Sequence, residues 1–359
     1  MRFKRKSQAD LAGRSLDRMA WHRFRRNPLS IASLVIIGLF SIVAILGYLI
    51  TPDHTPHCNQ QYLELATLKP FSKATFLITD ETDSRTPFFK RLAQGEPLNY
   101  TATPIKEYRY ARDTFVCSPY NDDPIAVPAS QARIDEHTFI LGSDAYGRDV
   151  LSMIMIGSRV SLSVGFIAIL IALLLGITLG ALAAYHGGWV DNLILWFINV
   201  VWSIPTVLLV IAITFVLGKG FWQIFIAVGL TMWVDIARVV RGEVYSIKEK
   251  EYVEATRALG YSTFRIIFRH ILPNIAGAVV VIAASNFASA ILIEAGLSFL
   301  GIGVQPPMPS WGMMVKENYG YILLDNAYLA FLPGLAIMLV VLAFMLLANG
   351  LRDALDIKR

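Results

Sequence analysis

The stretch VSLSVGFIAILIALLLGITLGALAAY, Val160 to Tyr185, decides the fold. It holds no charged side chain and exceeds the roughly 20 apolar residues that a helix needs to cross a bilayer. Five further stretches have the same character: Leu29–Ile50, Leu193–Leu217, Trp222–Val240, Asn274–Leu300 and Tyr328–Leu347. Together they predict an all-α integral membrane protein with six transmembrane helices. Composition agrees. Of 359 residues, 55% are hydrophobic and 16% are charged, where a soluble domain carries about 25% charged residues. Mean hydropathy is +0.52. The first apolar run is long enough to span, which argues against a cleavable signal with its h-region of about 7–15 residues.

Orientation follows from the basic residues flanking the spans. The tail before Pro28 holds Arg2, Lys4, Arg5, Lys6, Arg14, Arg18, Arg23, Arg25 and Arg26. The segment after the fourth span holds Arg238, Arg241, Lys248, Lys250, Arg257, Arg265 and Arg269, and the far end holds Arg352, Lys358 and Arg359. Six crossings place all three clusters on one side, so both termini are expected in the cytoplasm. Gly218-Lys219-Gly220 then falls outside. The net charge of +5 thus reads as topology, and no nucleic-acid partner is expected. In the tail, Leu16, Met19, Trp21 and Phe24 alternate with arginines, predicting an amphipathic helix on the inner leaflet.

Four regions emerge: a basic tail over 1–28, the first span over 29–50, an external polar insert over 51–140, and a core over 141–359. Both cysteines, Cys58 and Cys117, lie in the insert. On an oxidising face they could pair, and spacing leaves the pairing open. His54-Thr55-Pro56-His57-Cys58 reads as polar loop, since Pro56 interrupts the group and no carboxylate completes it. Asn99-Tyr100-Thr101 fits the glycosylation sequon, a weak signal on its own. No CxxC occurs, and no metal site is expected. No GxxxxGK[ST], HExxH or GxSxG occurs either, so the sequence offers neither a phosphate cradle nor a hydrolytic centre. No catalytic residue and no cofactor of its own are expected. Few ionisable residues lie within the spans. Glu294 and Asp235 are the main ones, and both are placed toward span ends.

The segment 249–273 carries the most specific pattern. It includes Glu251-Tyr252-Val253-Glu254-Ala255-Thr256-Arg257-Ala258-Leu259-Gly260-Tyr261-Ser262 and closes on His270-Ile271-Leu272-Pro273. Tyr252, Ala255 and Leu259 form an apolar stripe at helical spacing. Gly260 suits a left-handed helix stop, and Pro273 suits the first turn of the next span. A short helix with a sharp end can seat in a cleft on another protein as a lever.

This pattern resembles the EAA loop of ABC-importer permeases: Glu-Ala-Ala, three residues, Gly, nine residues, Ile, any residue, Leu-Pro. The matching positions are Glu254, Ala255, Gly260, Leu272 and Pro273. Thr256 replaces the second alanine and His270 replaces the isoleucine. Three more stretches resemble the C-type subunits of the dipeptide, oligopeptide and nickel importer family. They are Leu141 to Ser152, Leu297 to Pro307 with Pro309-Ser310-Trp311-Gly312, and Gly350 to Asp356. The insert is longer than the family leads one to expect.

The resemblance implies a type I ABC-importer permease fold in the bacterial inner membrane. It implies a homologous B-type permease partner, two cytosolic ATPase subunits that bind ATP and Mg, an external solute-binding protein, and peptide cargo. Transport would proceed by alternating access. Glu294, Asn286 and Ser289 could line the pathway, and the stretch Gly142–Asp149 could form an external elbow helix. Two other readings stand beside this one: a self-sufficient carrier or channel using Glu294 and Asp235, and a membrane-anchored sensor with the insert as receptor.

Overall fold

The computed structural model describes residues 16–80, 86–218 and 220–355. The basic residues from Arg2 to Arg14, Lys219, Asp356, Lys358 and Arg359 lie outside these residues, as do the side chains of Leu16 and Arg18.

The tail residues form helix α1 (Leu16–Arg26), which leads into α2 (Pro28–Ile50). Asn27 divides the two: its side-chain oxygen accepts from Leu29 N at 3.0 Å, and Pro28 supplies the first-turn residue that needs no N–H partner. Phe24 is buried, and α1 packs on the last helix, with Phe24 stacked on the exposed Trp21 at 5.8 Å. The amphipathic helix is therefore present and docked.

Among the described residues five helices are long and apolar enough to cross a membrane: α2, α4 (Val150–His186), α7 (Phe221–Lys248), Thr263–Phe299, and α12 (Tyr328–Leu355). A sixth crossing is divided into α5 (Gly188–Trp202) and α6 (Thr206–Leu217), bent by 91°. The bend falls at Ser203–Pro205. Proline lacks the N–H that would continue the ladder and clashes with the preceding turn, so the third span is broken rather than continuous.

α4 and α7 form the centre of the bundle. A Cβ on Gly176 would lie 2.7 Å from Ile236 Cβ, and one on Gly180 would lie 2.5 Å from Ala237 O. Glycine at this spacing lets two helices approach backbone to backbone, the small-residue packing used in membranes. Gly176 meets Ile236, Gly180 meets Ala237, and Lys248 Nζ donates to Ala184 O at 2.7 Å. The two helices are therefore parallel, and α7 delivers the chain to the end opposite the start of α4.

That start carries the insert, which is not helical throughout. It folds into an antiparallel sheet ordered β4-β3-β2-β1-β5. The strands are β1 (Ser72–Thr79), β2 (Thr101–Ala111), β3 (Thr114–Pro119), β4 (Ile125–Pro128) and β5 (Ala132–Phe139), and helix α3 (Phe88–Gln94) lies between β1 and β2. One face buries Ala74, Phe76, Ile78 and Phe139 with Leu65; the other buries Leu77, Ile105 and Cys117. The helical membrane core is as expected, and the insert adds a β domain to it.

Cys58 and Cys117 do not pair. Both are free and buried. Cys58 packs with Met153 and Trp311 at the base of the insert, while Cys117 lies opposite Tyr108 inside the sheet. Burial, with the Asp53 carboxylate nearby, pushes the Cys58 thiol well above its usual range, which disfavours the reactive thiolate.

Candidate coupling site

Beyond α7 the chain forms α8 (Glu251–Ala258), a glycine turn, α9 (Thr263–Ile266), a π-helical turn over Ile267–Ile271, and α10 (Leu272–Phe299). Gly260 adopts φ +76°. Its N–H donates to Arg257 O at 2.9 Å, and Tyr261 N donates to Thr256 O at 3.1 Å. These are the paired bonds of a Schellman stop, which needs a left-handed residue that glycine supplies at least cost. Ser262 then caps α9 through Arg265 N at 3.4 Å.

The segment is seated by Val253, Ile266, Ile267 and Ile271, which join the core formed by Val240 and Val244 of α7. Each fully buried aliphatic side chain contributes about 1.5–3 kcal/mol, enough to hold a short helix that could not persist alone. The apolar stripe read from sequence is not the seat. Tyr252, Ala255 and Leu259 face outward, as do Glu254 and Gly260, with Leu259 71% exposed. Phe264 beyond the turn is 69% exposed and stacks near Phe268 at 4.3 Å. The five motif positions thus divide by role. Glu254, Ala255 and Gly260 form an outward surface, while Leu272 packs on the core and Pro273 opens α10.

Of the two departures from the pattern, Thr256 has a local explanation. Thr256 is buried, and its hydroxyl donates to Val253 O at 2.6 Å, so the added oxygen is satisfied within the helix. His270 lies in the π turn near the Tyr261 ring, with Nε2 buried and unbonded. Just before the segment, Arg241 clamps Asp191 through Nε–Oδ1 and Nη2–Oδ2, both at 2.6 Å, and Tyr245 donates to the same carboxylate at 3.2 Å. This bidentate pair fixes the start of α5 to α7. The sequence reading missed it, although an acid opening one span and an arginine ending another were visible.

Glu294 does not line an open pathway. It is fully buried, accepting from Ser161 Oγ at 2.9 Å and Ser298 Oγ at 2.8 Å, with Ser310 also bonded to it. Ser298 Oγ in turn accepts from Val304 N at 3.1 Å. Glu294 thus holds the loop after α10 and the opening of α11 (Trp311–Asn318) against α4. Asn286 is buried and donates to Met232 O at 3.4 Å, tying α10 to α7. Ser289 lines a cavity of about 160 Å³ beside the α5–α6 break, together with Trp202, Thr206, Thr231 and Asp235. Asp235 is exposed, and the Trp202 indole donates to it. The Arg238 guanidinium stacks on the Trp202 ring at 3.7 Å and donates to Asn199 Oδ1 at 3.0 Å.

The stretch Gly142–Asp149 is a turn rather than an elbow helix. Asp144 Oδ1 accepts from Tyr146 N and Arg148 N, both at 2.9 Å, which captures the donors a helix would use. Arg148 also binds Asp144 Oδ2 and reaches Glu317 on α11 at 2.5 Å. Burial works against the Arg148 charge, but the two carboxylates override it and hold its pKa above the usual value.

Residues 176–359 match the family of binding-protein-dependent transport system inner membrane components, and residues 15–70 match the N-terminal TM domain of oligopeptide transport permease C. The glutathione transport system permease protein GsiD of Pectobacterium atrosepticum is 42% identical over 61% of this chain and 72% of its own. The dipeptide transport system permease protein DppC of Alkalihalophilus pseudofirmus is 43% identical over 62% and 72%. The oligopeptide transport system permease protein OppC of Bacillus subtilis is 37% identical, again over 62% and 72%. Among solved structures, the inward-facing MetNI methionine ABC transporter aligns at a TM-score of 0.46 and 20% identity, over 58% of this chain and 98% of that one.

Proposed function

The chain belongs to the family of binding-protein-dependent transport system inner membrane components, and from that premise we propose that it is the C-type half of a peptide-importing pair in a bacterial inner membrane. Its relatives are named for glutathione, dipeptides and oligopeptides, so short peptides are the cargo class. A B-type permease completes the pathway, a solute-binding protein delivers peptide on the sheet side, and two ATPases that bind ATP and Mg act on the opposite side, where both termini lie.

The carrying observation is α8. Its inward face is anchored on α7, while its outward face offers Tyr252, Leu259 and a glycine turn with no neighbour within 4 Å of a Cβ on Gly260. A surface so built passes motion from a bound ATPase into α7, and from there through the Arg241–Asp191 clamp into α5. The pathway runs along the α5–α7–α10 face. Asp235 and Arg238 are charges within a spanning helix, which are costly against lipid and usually face water or a partner.

Gly260→Val combined with Glu254→Gln tests the lever. The left-handed turn costs a β-branched residue about 1–2 kcal/mol, so co-purification of the ATPases is expected to fall at least about tenfold while the chain still inserts. Unchanged co-purification, or peptide uptake by the purified chain alone, overturns this reading.

A further inference from the structure

A groove of about 980 Å³ opens between α2, α4, α10 and α12, with α3 at its sheet-side end. Its walls include Phe166, Val280, Phe287 and Phe344, the last two stacked at 4.0 Å. Among the described residues, Ser41, Ser163 and Arg159 are its polar side chains. Arg159 projects from α4 at the sheet-side rim and also lines a neighbouring cavity of about 530 Å³, together with Lys90 of α3.

Arg159 is held but not neutralised. One N–H donates to Leu92 O at the end of α3 at 2.9 Å, and the guanidinium sits 5.6 Å from the Tyr48 ring centroid. Among the described residues no carboxylate pairs with it or with Lys90. Its depth is also informative. Along α4 it lies about 40 Å from His186 at 1.5 Å per residue, which matches a bilayer of about 40–45 Å including headgroups. Beside it, Phe88 and Phe89 of α3 are 60% and 81% exposed, the pattern of an interfacial helix with its rings in the acyl boundary and its lysine among headgroups.

We propose that this groove is a binding site for one anionic phospholipid of the sheet-side leaflet, with its phosphate at Arg159 and Lys90 and an acyl chain along Phe166, Phe287 and Phe344. Lipid fits better than a partner helix because the site asks for an anion and a hydrocarbon chain at adjoining depths. A transmembrane helix of the partner permease supplies the apolar contact but leaves the guanidinium unpaired. The site also gives α3 a purpose, since Leu92 O fixes Arg159 over the groove. Residues 71–175, which include α3 and Arg159, fall outside both matched family regions.

The test uses the full chain in its assembled complex, extracted from membranes and analysed by native mass spectrometry for retained phosphatidylglycerol against phosphatidylethanolamine. The wild type is expected to retain phosphatidylglycerol preferentially. Arg159→Gln is expected to reduce that preference about fivefold, the effect of one cation at a lipid surface, and Arg159→Lys to keep most of it. Ala284→Phe, which fills the groove away from the headgroup, is expected to remove the retained lipid whatever its head. Absence of a preference in the wild type, or an unchanged one in Arg159→Gln, overturns the proposal. So does crosslinking of Phe166→Cys to the partner permease in the assembled complex, which would assign the groove to protein.

Discussion

Two carboxylates in the membrane-spanning helices, Glu294 and Asp235, look alike in the sequence and differ in every structural respect. Glu294 is sealed among the hydroxyls of Ser161, Ser298 and Ser310, with no exposed surface. Asp235 stands on an open face beside a broken span, bonded to Trp202. A buried acid ringed by donors organises structure, because each donor would be orphaned without it. An exposed acid within a span must meet water or a partner. The helical face, and not the distance from a span end, separates the two.

The largest expected effect breaks the first half of this contrast. Glu294→Ala should cost about 3 kcal/mol by orphaning buried hydroxyls, seen as lower thermal stability and loss of membrane-inserted protein. Glu294→Gln, which keeps one acceptor, should cost less. A fully stable Glu294→Ala with impaired uptake would return Glu294 to the pathway. Next, Asp235→Asn should leave folding and basal ATP hydrolysis intact while lowering peptide uptake about tenfold. Equal losses of stability and uptake would mean that Asp235 is structural after all.

A third acid, Asp53, lies outside the spans and sharpens the rule. Burial raises its pKa, with the nearby Asp149 carboxylate adding to the effect, and its Oδ2 has no partner. A raised carboxyl favours its protonated form in the fold. Stability should therefore rise as pH falls through the folded value toward the unfolded value of about 3.9. Asp53→Asn should accordingly stabilise the chain by about 1 kcal/mol at neutral pH, and the advantage should vanish near pH 4. A gain that ignores pH would refute that origin. Smallest of all, Thr256→Ala restores the expected alanine and removes a hydroxyl that is already satisfied locally, so stability should shift by less than about 0.5 kcal/mol, measurable by thermal melts of the complex.

The six crossings and the Gly260 turn were legible because each is written in consecutive residues: apolar length, and a residue free to take positive φ. The sheet was not legible. β1 buries Phe76, Leu77 and Ile78 in succession, so both of its faces are covered and the alternation that marks a half-exposed strand is absent. The seat of α8 on its own chain, through Val253, was not legible for a related reason. An amphipathic stripe shows that one face is apolar but does not say whether that face meets its own chain or another. Arg148 and Arg241 depend on carboxylates far along the chain, Glu317 and Asp191, and no local pattern announces such pairs.

In the sheet, Ser72 stands directly opposite Phe139 in the pairing of β1 with β5. The polypeptide thus departs for its β domain and comes back at a single doorway, a few ångströms wide. The strands beyond that doorway can be enlarged or trimmed without displacing the helices on either side, provided that α3 keeps its seat on α2 and its Leu92 carbonyl on Arg159.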